Sequence, residues 1–217
     1  MGLHILEHPL LHEAMAVLRD RGTPTGAFRA AMAQAAAVVF QEAAEELPTD
    51  TETVETPLGK AAVRRLRPGV VTLVPVLRAG LGMLEGVLPM VPGARVAHIG
   101  VRRDEATAEP QEYYRHLPSS ASGTIAFVLD PMLATGGTLL RVLEILEEAG
   151  VAEIRVLALV AAPEGVRAVR EAFPDAEVFL AAVDQGLDAR KFIVPGLGDA
   201  GDRYFGTEEE EGTFLTS

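Results

Sequence analysis

Ten consecutive residues, LDPMLATGGT at positions 129–138, place an acid, two hydroxyls and two glycines where an apolar run gives way to a helical pattern. Adjacent glycines, Gly136 and Gly137, let main-chain N–H groups turn towards an anion, and the N-terminus of the following helix adds the positive end of its dipole. Thr135 and Thr138 supply hydroxyl donors, and Asp130 is placed to accept from vicinal hydroxyls such as those of a ribose. No GKT or GKS triplet follows, so the segment does not read as an ATPase loop. An ordinary βα turn with glycines for tight packing is the competing reading.

Three other places carry chemistry. Arg78, in VLRAGLGM at 76–83, follows an apolar run in a turn with two glycines, and a guanidinium beside open amides suits a diphosphate. Arg103 stands at the root of a long polar stretch, from which it would close over a bound anion; the competing readings are a surface Arg78 paired with a carboxylate, which wins for a lone arginine, and for Arg103 one solvated charge among many. GLGDAG at 196–201 lets a flat ligand approach the main chain closely, so a planar heterocycle with alternating donors and acceptors could be read there by backbone, with Asp199 the one side chain of chemical reach. His4, His8, His12 and His98 show neither metal-ligand spacing nor a serine partner. Arg64, Arg65 and Arg67 make a small basic cluster that reads as surface or subunit contact.

These residues need elements to hold them. Residues 70–77 (VVTLVPVL) form a continuous apolar run, as in a strand buried on both faces, although Pro75 argues against a central place in a sheet. Residues 94–101, 124–129, 154–162 and 176–183 repeat the theme, and helical patterns intervene at 81–90, 138–149 and 163–173. Alternation of this kind predicts an α/β fold with a central parallel sheet flanked by helices. Such sheets bind ligands beyond the carboxyl ends of their strands, where Arg78, Arg103, Asp130 and Asp184 all fall. Upstream, His8-Pro9 opens a helix with Leu11, Ala14, Met15 and Leu18 on one face, and Thr25 is the expected cap of a second helix with Phe28, Met32, Ala35 and Val39. Residues 52–57 and 60–66 read as a hairpin about Leu58-Gly59. Residues 102–123 look like a functional flap, and 185–206 look too rich in Gly and Pro for regular structure.

Composition bounds the function. The 217 residues are 48% hydrophobic and 23% charged, which suits one folded domain at 1–207 with a loose acidic tail at 208–217. Cysteine is absent, which excludes disulfides, thiolate metal sites and a Cys nucleophile. With 19 Lys and Arg against 31 Asp and Glu the net charge is −12, a surface that repels nucleic acid. There is no Trp and aromatic content is 5%, so stacked-base recognition is not expected. No apolar run has membrane-spanning length and the N-terminus lacks a signal-peptide pattern, so the expected location is the cytoplasm, without membrane partners.

Taken together, VLRAGLGM, LDPMLATGGT, LVAAPEGV at 159–166 and IVPGLGDAGDRYFGT at 193–207 resemble the uracil phosphoribosyltransferase family, of the type I phosphoribosyltransferase fold. Asp130 followed by Pro131, where many phosphoribosyltransferases carry two adjacent acids, and the GLGDAGD stretch are similar to the uracil branch in particular. The resemblance implies N-terminal helices, a β-hairpin and a C-terminal base-binding loop region around the sheet. It implies transfer of the phosphoribosyl group from 5-phospho-α-D-ribose 1-diphosphate to uracil, giving UMP and diphosphate in pyrimidine salvage. Donor binding would fall to Arg78, Arg103, Asp130, Pro131, Met132, Leu133, Ala134, Thr135, Gly136, Gly137, Thr138 and Asp199, and uracil binding to Ile193, Gly198, Asp199 and Ala200. Arg78, Arg103 and Asp199 would act catalytically, with Mg²⁺ carried by substrate and water rather than by protein ligands. The family's N-terminal region serves oligomer contacts and effector response, which makes GTP a candidate effector and a homodimer or homotetramer the expected assembly. Lys191-Phe192 replaces the family's usual Gly-Tyr before Ile193, and Glu13, Gln34, Gln41 and Arg102 also depart from its pattern. A nucleotide-sensing regulator on the same fold, without turnover, is the alternative. Orotate is a further candidate base, with Lys191 as the cation its carboxylate would need.

Overall fold

The computed structural model describes residues 2–103, 110–118 and 123–207, and of Arg102, Arg103 and Pro110 the backbone alone. Two long amphipathic segments open the chain after a short strand, β1 (Leu3–Ile5): α1 (Pro9–Arg19) and α2 (Thr25–Ala43). A hairpin, β2 (Thr49–Thr56) and β3 (Gly59–Leu66), precedes the alternating part. That part runs β4 (Val71–Leu77), α3 (Gly80–Val87), β5 (Arg95–Val96), β6 (His98–Arg103), β7 (Pro110–His116), β8 (Ile125–Leu129), β9 (Met132–Leu133), α4 (Gly137–Glu148), β10 (Glu153–Ala161), α5 (Pro163–Ala172) and β11 (Glu177–Val183). Two-residue strands β12 (Gly186–Leu187) and β13 (Ile193–Val194) and a six-residue helix, α6 (Ala200–Phe205), complete the described chain.

The main sheet has the order β1-β11-β10-β8-β4-β6-β7, parallel throughout except for β7, which runs antiparallel to β6; β5 pairs with β4 and β9 with β10. Helices cover both faces, so the central strands are largely apolar in unbroken runs rather than at alternate positions, with Thr72 and Arg155 as buried exceptions. Val71, Leu73, Phe127, Leu129, Leu157 and Leu159 pack with α1, α2 and α3. The alternate residues Val74, Val76, Ala126, Val128, Val156 and Ala158 pack with α4 and α5.

Several sequence expectations need correction. Strand β4 is central despite Pro75: its ladder on one side changes partner between Leu73↔Val96 and Val76↔Ile99, and the residue without an N–H falls in that gap. Thr25 is the first residue of α2 and not its cap; Pro24 holds extended backbone (φ −62°, ψ 150°), and its carbonyl accepts from Phe28 N at 2.9 Å. The polar stretch 102–123 contains β7, an edge strand whose Tyr113 and Tyr114 stay half exposed; residues 104–109 and 119–122 of the expected flap lie outside the described residues, as does the acidic tail 208–217. Residues 185–206 contain β12, β13 and α6, with the glycines and the cis Val194–Pro195 peptide at the turns between them. Strand β1 gave no sequence signal. Long-range contacts hold it: Gly2 N donates to Glu177 at 2.9 Å, and the His4 ring stacks on Phe179 at 4.4 Å.

Helix α3 packs so closely on α2 that a methyl at Gly86 would lie on the Ala33 carbonyl group. Backbone cannot yield as a flexible side chain can. We therefore expect Gly86→Ala to destabilise the chain by about 2 kcal/mol through overpacking, against the usual helix-propensity gain of Ala. Calorimetry should record a melting temperature lower by about 4–8 °C.

Candidate active site

Leu129 ends β8 beside β10, and the next residues are strapped along the top of β10. Asp130 N donates to Leu157 O at 3.1 Å, Pro131 O accepts from Leu159 N and Val160 N, both at 3.1 Å, and Met132 and Leu133 pair with Val160 and Ala161 as β9. Gly136 then turns the chain with φ +88°, a conformation that costs a side-chain-bearing residue energy, and α4 starts at Gly137. A Cβ at Gly136 would also press on Ala168 at 3.1 Å, so the turn lies tight against α5. Loop and helix start thus form a cradle of N–H groups at the carboxyl edge of the sheet, with Thr135 Oγ1 3.4 Å from Gly137 N.

This cradle is one wall of a cleft of about 350 Å³. Asp130 lies in the cleft floor, half-buried, its Oδ1 accepting from Met132 N at 3.4 Å. Burial pushes its carboxyl up to about 7, outweighing the opposing pull of that single N–H. Arg78 stands on the opposite wall, after β4 and a cis Leu77–Arg78 peptide. Its Nη2 donates to Asp202 Oδ1 at 3.0 Å, and its guanidinium lies 5.8 Å from the Phe205 ring centroid.

Asp199 closes the third side. Its carboxylate caps α6 by accepting from Asp202 N at 2.9 Å, and a Cβ placed on Gly201 would touch both Asp199 Oδ1 (3.2 Å) and Arg78 Nη2 (3.8 Å). The acid and the arginine therefore flank the same short stretch of main chain. Met132, Leu133, Ala134, Thr135, Gly136 and Thr138 line the cleft with them, whereas Pro131 and Gly137 serve the loop from behind. Arg103 ends β6 opposite Pro110, with only its backbone described.

Ile193, Gly198 and Ala200 stand apart from that cleft wall, in the adjoining loop that Asp199 joins to it. The side chains of Ile193 and Ala200 are in the core, so what these positions offer a ligand is main chain. Lys191 lies at the exposed tip between β12 and β13 with φ +70°; Asp188 holds the tip by accepting from Arg190 N (2.9 Å) and Phe192 N (2.8 Å). Neither Lys191 nor Phe192 lines the cleft.

Sequence reasoning noted Asp184 only as a strand-end acid and missed its partners. Asp184 pairs with both terminal nitrogens of Arg19 (2.7 and 2.9 Å) and accepts from Gly196 N at 2.9 Å, while Arg19 also donates to Gly196 O at 3.1 Å. Arg203 is buried, donates to the carbonyls of Leu18, Asp20 (2.6 Å) and Leu197 (2.9 Å), and stacks on Phe28 at 4.3 Å. Two arginines thus tie the base-loop backbone to the end of α1. The DR pair at 202–203 was a signal, an unexpected Arg in a small-residue loop; Arg19 gave none.

The uracil phosphoribosyltransferase family profile matches residues 5–207. The uracil phosphoribosyltransferase of Shouchella clausii is 45% identical over 206 residues, covering 95% of this chain and 99% of that one. That of Symbiobacterium thermophilum is 46% identical over 204 residues, covering 94% and 98%. A solved structure of a protein from Aquifex aeolicus superposes with a TM-score of 0.91 at 34% identity, covering 96% of this chain and all of the other. On these grounds the chain belongs to the uracil phosphoribosyltransferase family.

Proposed function

We propose that this enzyme transfers the phosphoribosyl group of 5-phospho-α-D-ribose 1-diphosphate to N1 of uracil, giving UMP and diphosphate in pyrimidine salvage. The observation that carries the reading is the convergence of Arg78, Asp130, the start of α4 and Asp199 on one cleft. In the reaction the C1′–oxygen bond to diphosphate breaks, the C1′–N1 bond forms, and the N1 proton leaves. The 5′-phosphate sits on the N–H groups and hydroxyls of 134–138, as a helix N-terminus favours. Asp130 accepts from the ribose hydroxyls. Arg78 and Arg103 bind the diphosphate and stabilise the charge that gathers on it. Uracil is read by main chain at Ile193, Gly198 and Ala200, and Asp199 takes or relays its N1 proton.

Mg²⁺ fits this set of groups. The cleft carboxylates Asp130 and Asp199 are hard oxygen donors, and among the described residues no cluster of three His, Asp or Glu forms a dedicated cage. When bound, the ion would be held mainly by the donor and by water and would supply neutralisation of the diphosphate, with Asp130 and Asp199 as the cleft carboxylates able to accept from that water. No described helix is long and apolar enough to cross a membrane, and the proposed setting is the cytoplasm. The domain reading keeps 1–207 as one unit. A homodimer or homotetramer is the proposed assembly, supported by the hairpin of β2 and β3, which forms a sheet of its own and exposes nearly every side chain, with Leu58 fully in solvent. Isolated two-stranded hairpins are marginal in water, so a second copy gives it the cover it needs. GTP remains the candidate effector that the family suggests. Lys191 at an exposed tip gives no support to orotate as the base.

The direct test is the purified chain with Mg²⁺, phosphoribosyl diphosphate and, separately, uracil, orotate, adenine or hypoxanthine, with products resolved by chromatography. We expect UMP from uracil and nothing from the others. Absence of product with every base, together with measurable UMP binding, would instead support the sensor.

Asp199→Asn keeps an oxygen to cap α6 but cannot accept a proton, so it should lose about 100-fold or more in kcat with little change in melting temperature. Asp199→Ala should lose as much turnover and, with the cap gone, about 1 kcal/mol of stability as well. Near wild-type turnover in either variant would remove Asp199 from the proton step.

Burial pushes the Asp130 carboxyl up to about 7. Ribose hydroxyls donate to its ionised form, so donor binding strengthens as pH rises through that value. The kcat/KM for the donor should climb roughly tenfold per pH unit below about 7 and flatten above it, and Asp130→Asn should lack this limb. Linkage gives the opposite slope for folding. Because the folded carboxyl is raised above its ordinary 3.8, this group's contribution to stability falls as pH rises from about 4 to about 7.

A further inference from the structure

We propose that Asp202 is a positioning residue for donor binding: its carboxylate, fixed by Thr207, holds the Arg78 guanidinium at the cleft so that the diphosphate meets it already oriented. The inference rests on the proposed role of Arg78 as a diphosphate ligand.

Asp202 is fixed at four points. Its N–H donates to Asp199 Oδ1 at 2.9 Å, and its carbonyl accepts from Gly206 N at 2.7 Å and Thr207 N at 3.1 Å. Its Oδ1 accepts from Thr207 Oγ1 at 2.7 Å. The left-handed turn at Gly206 (φ +69°) folds Thr207 back over α6 and makes the last contact available. The same Oδ1 then accepts from Arg78 Nη2 at 3.0 Å. Held this way, the carboxyl lies below its ordinary range, chiefly through the Thr207 hydroxyl and then through Arg78, and stays ionised at neutral pH.

Arg78 is the opposite case. Its side chain is 57% exposed, and arginine carries more rotamer freedom than almost any other side chain. Unheld, it would have to be ordered by the diphosphate itself, which weakens binding. Among the described residues its side chain makes one hydrogen bond, from Nη2, so the second Nη2 hydrogen and the Nη1 or Nε hydrogen beside it are left for a bidentate contact with an anion. Repulsion between Asp202 and the diphosphate acts in the other direction. It is the smaller effect, because Arg78 offsets the carboxylate charge and the exposed site is screened over about 8 Å at physiological salt. Asp202 is also the residue whose N–H receives the Asp199 carboxylate, so one residue sets both the diphosphate arginine and the acid at the head of the base loop.

Steady-state kinetics of the full chain with both substrates varied would test this. Asp202→Asn keeps the shape and removes the charge. It should raise the donor KM about five-fold, with kcat and the uracil KM within two-fold of wild type. Thr207→Val should move the donor KM in the same direction by about two-fold, and Thr207→Ser should restore it. In an Arg78→Ala background, Asp202→Asn should change the donor KM by less than two-fold, because its action passes through Arg78. A lowered donor KM in Asp202→Asn would overturn the proposal and make the carboxylate a competitor of the diphosphate. Equal rises in both KM values with a lower melting temperature, or full additivity with Arg78→Ala, would overturn it in favour of a purely structural role. If the wild-type chain makes no UMP, the failure is that of the proposed reaction. The same five-fold shift is then read in the donor Kd by titration calorimetry, where its absence refutes the role of Asp202.

Discussion

The loop of residues 184–199, proposed to read the base, depends on a charge pair formed across most of the chain. Within residues 184–199 regular pairing is limited to the two-residue strands β12 and β13, and Gly196 and Gly198, both at positive φ, lie outside it. Arg19 and Asp184 supply what the loop lacks, bonding each other twice and Gly196 at both its N–H and its carbonyl. Asp184 is 6% exposed and Arg19 28%, so removal of either leaves a charge largely shut off from water, a loss of about 3–5 kcal/mol. A loop that reads a ligand with its backbone has to be rigid before the ligand arrives, or the ordering cost is taken from affinity. Neither Arg19 nor Asp184 lines the cleft, so the pair braces the loop without occupying the site.

The cleft reconciles an anionic substrate with a chain of net charge −12 by local means. Helix α4 starts at the site, Arg78 lines it as well, and burial pushes the Asp130 carboxyl up to about 7, so at neutral pH this acid carries only part of its negative charge. Hydrogen-bond donors on a bound ribose would draw Asp130 fully to the carboxylate. The acid thus repels an approaching phosphate less than an ordinary carboxylate would, yet is ionised once its hydroxyl partners are in place. Net charge governs long-range encounters, whereas the site is set by dipoles and charges within a few ångströms.

The parallel sheet was legible because burial on both faces writes itself as unbroken apolar runs, and β4, β8, β10 and β11 lie within a residue or two of their expected bounds. The backbone of the 129–138 loop was equally legible: a strand end, two glycines and a helix start are local features. Failures came where distant contacts decide the outcome. Strand β1 is only three residues long, stabilised by Glu177 and Phe179 from the far end of the chain. Pro75 argued against a central strand because a sequence cannot show that the neighbouring strand is interrupted at Ala97. The stretch 185–206 was read as irregular by counting glycines, although they occupy the turns and leave the residues between them to pair. Arg19 was invisible, since its partner lies 165 residues away.

Helix α6 shows how the two halves of the site come to share one support. Six residues cannot sustain a helix in water, where nucleation alone defeats lengths below about 12. Its order is imported: Ala200 and Tyr204 are in the core, Arg29 donates to the Tyr204 carbonyl at 2.7 Å, and Arg203 is stacked on Phe28. Both Phe28 and Arg29 lie near the start of α2, whose packing on α1 and α3 is the densest helix contact in the fold. A short helix that borrows its stability in this way has a position fixed by the core and not by its own hydrogen bonds. Its N-cap is Asp199, and its third residue is Asp202, which bonds Arg78. Asp199 and Arg78 are therefore both referenced to the N-terminal helices, and a displacement of α2 would reach both sides of the cleft together.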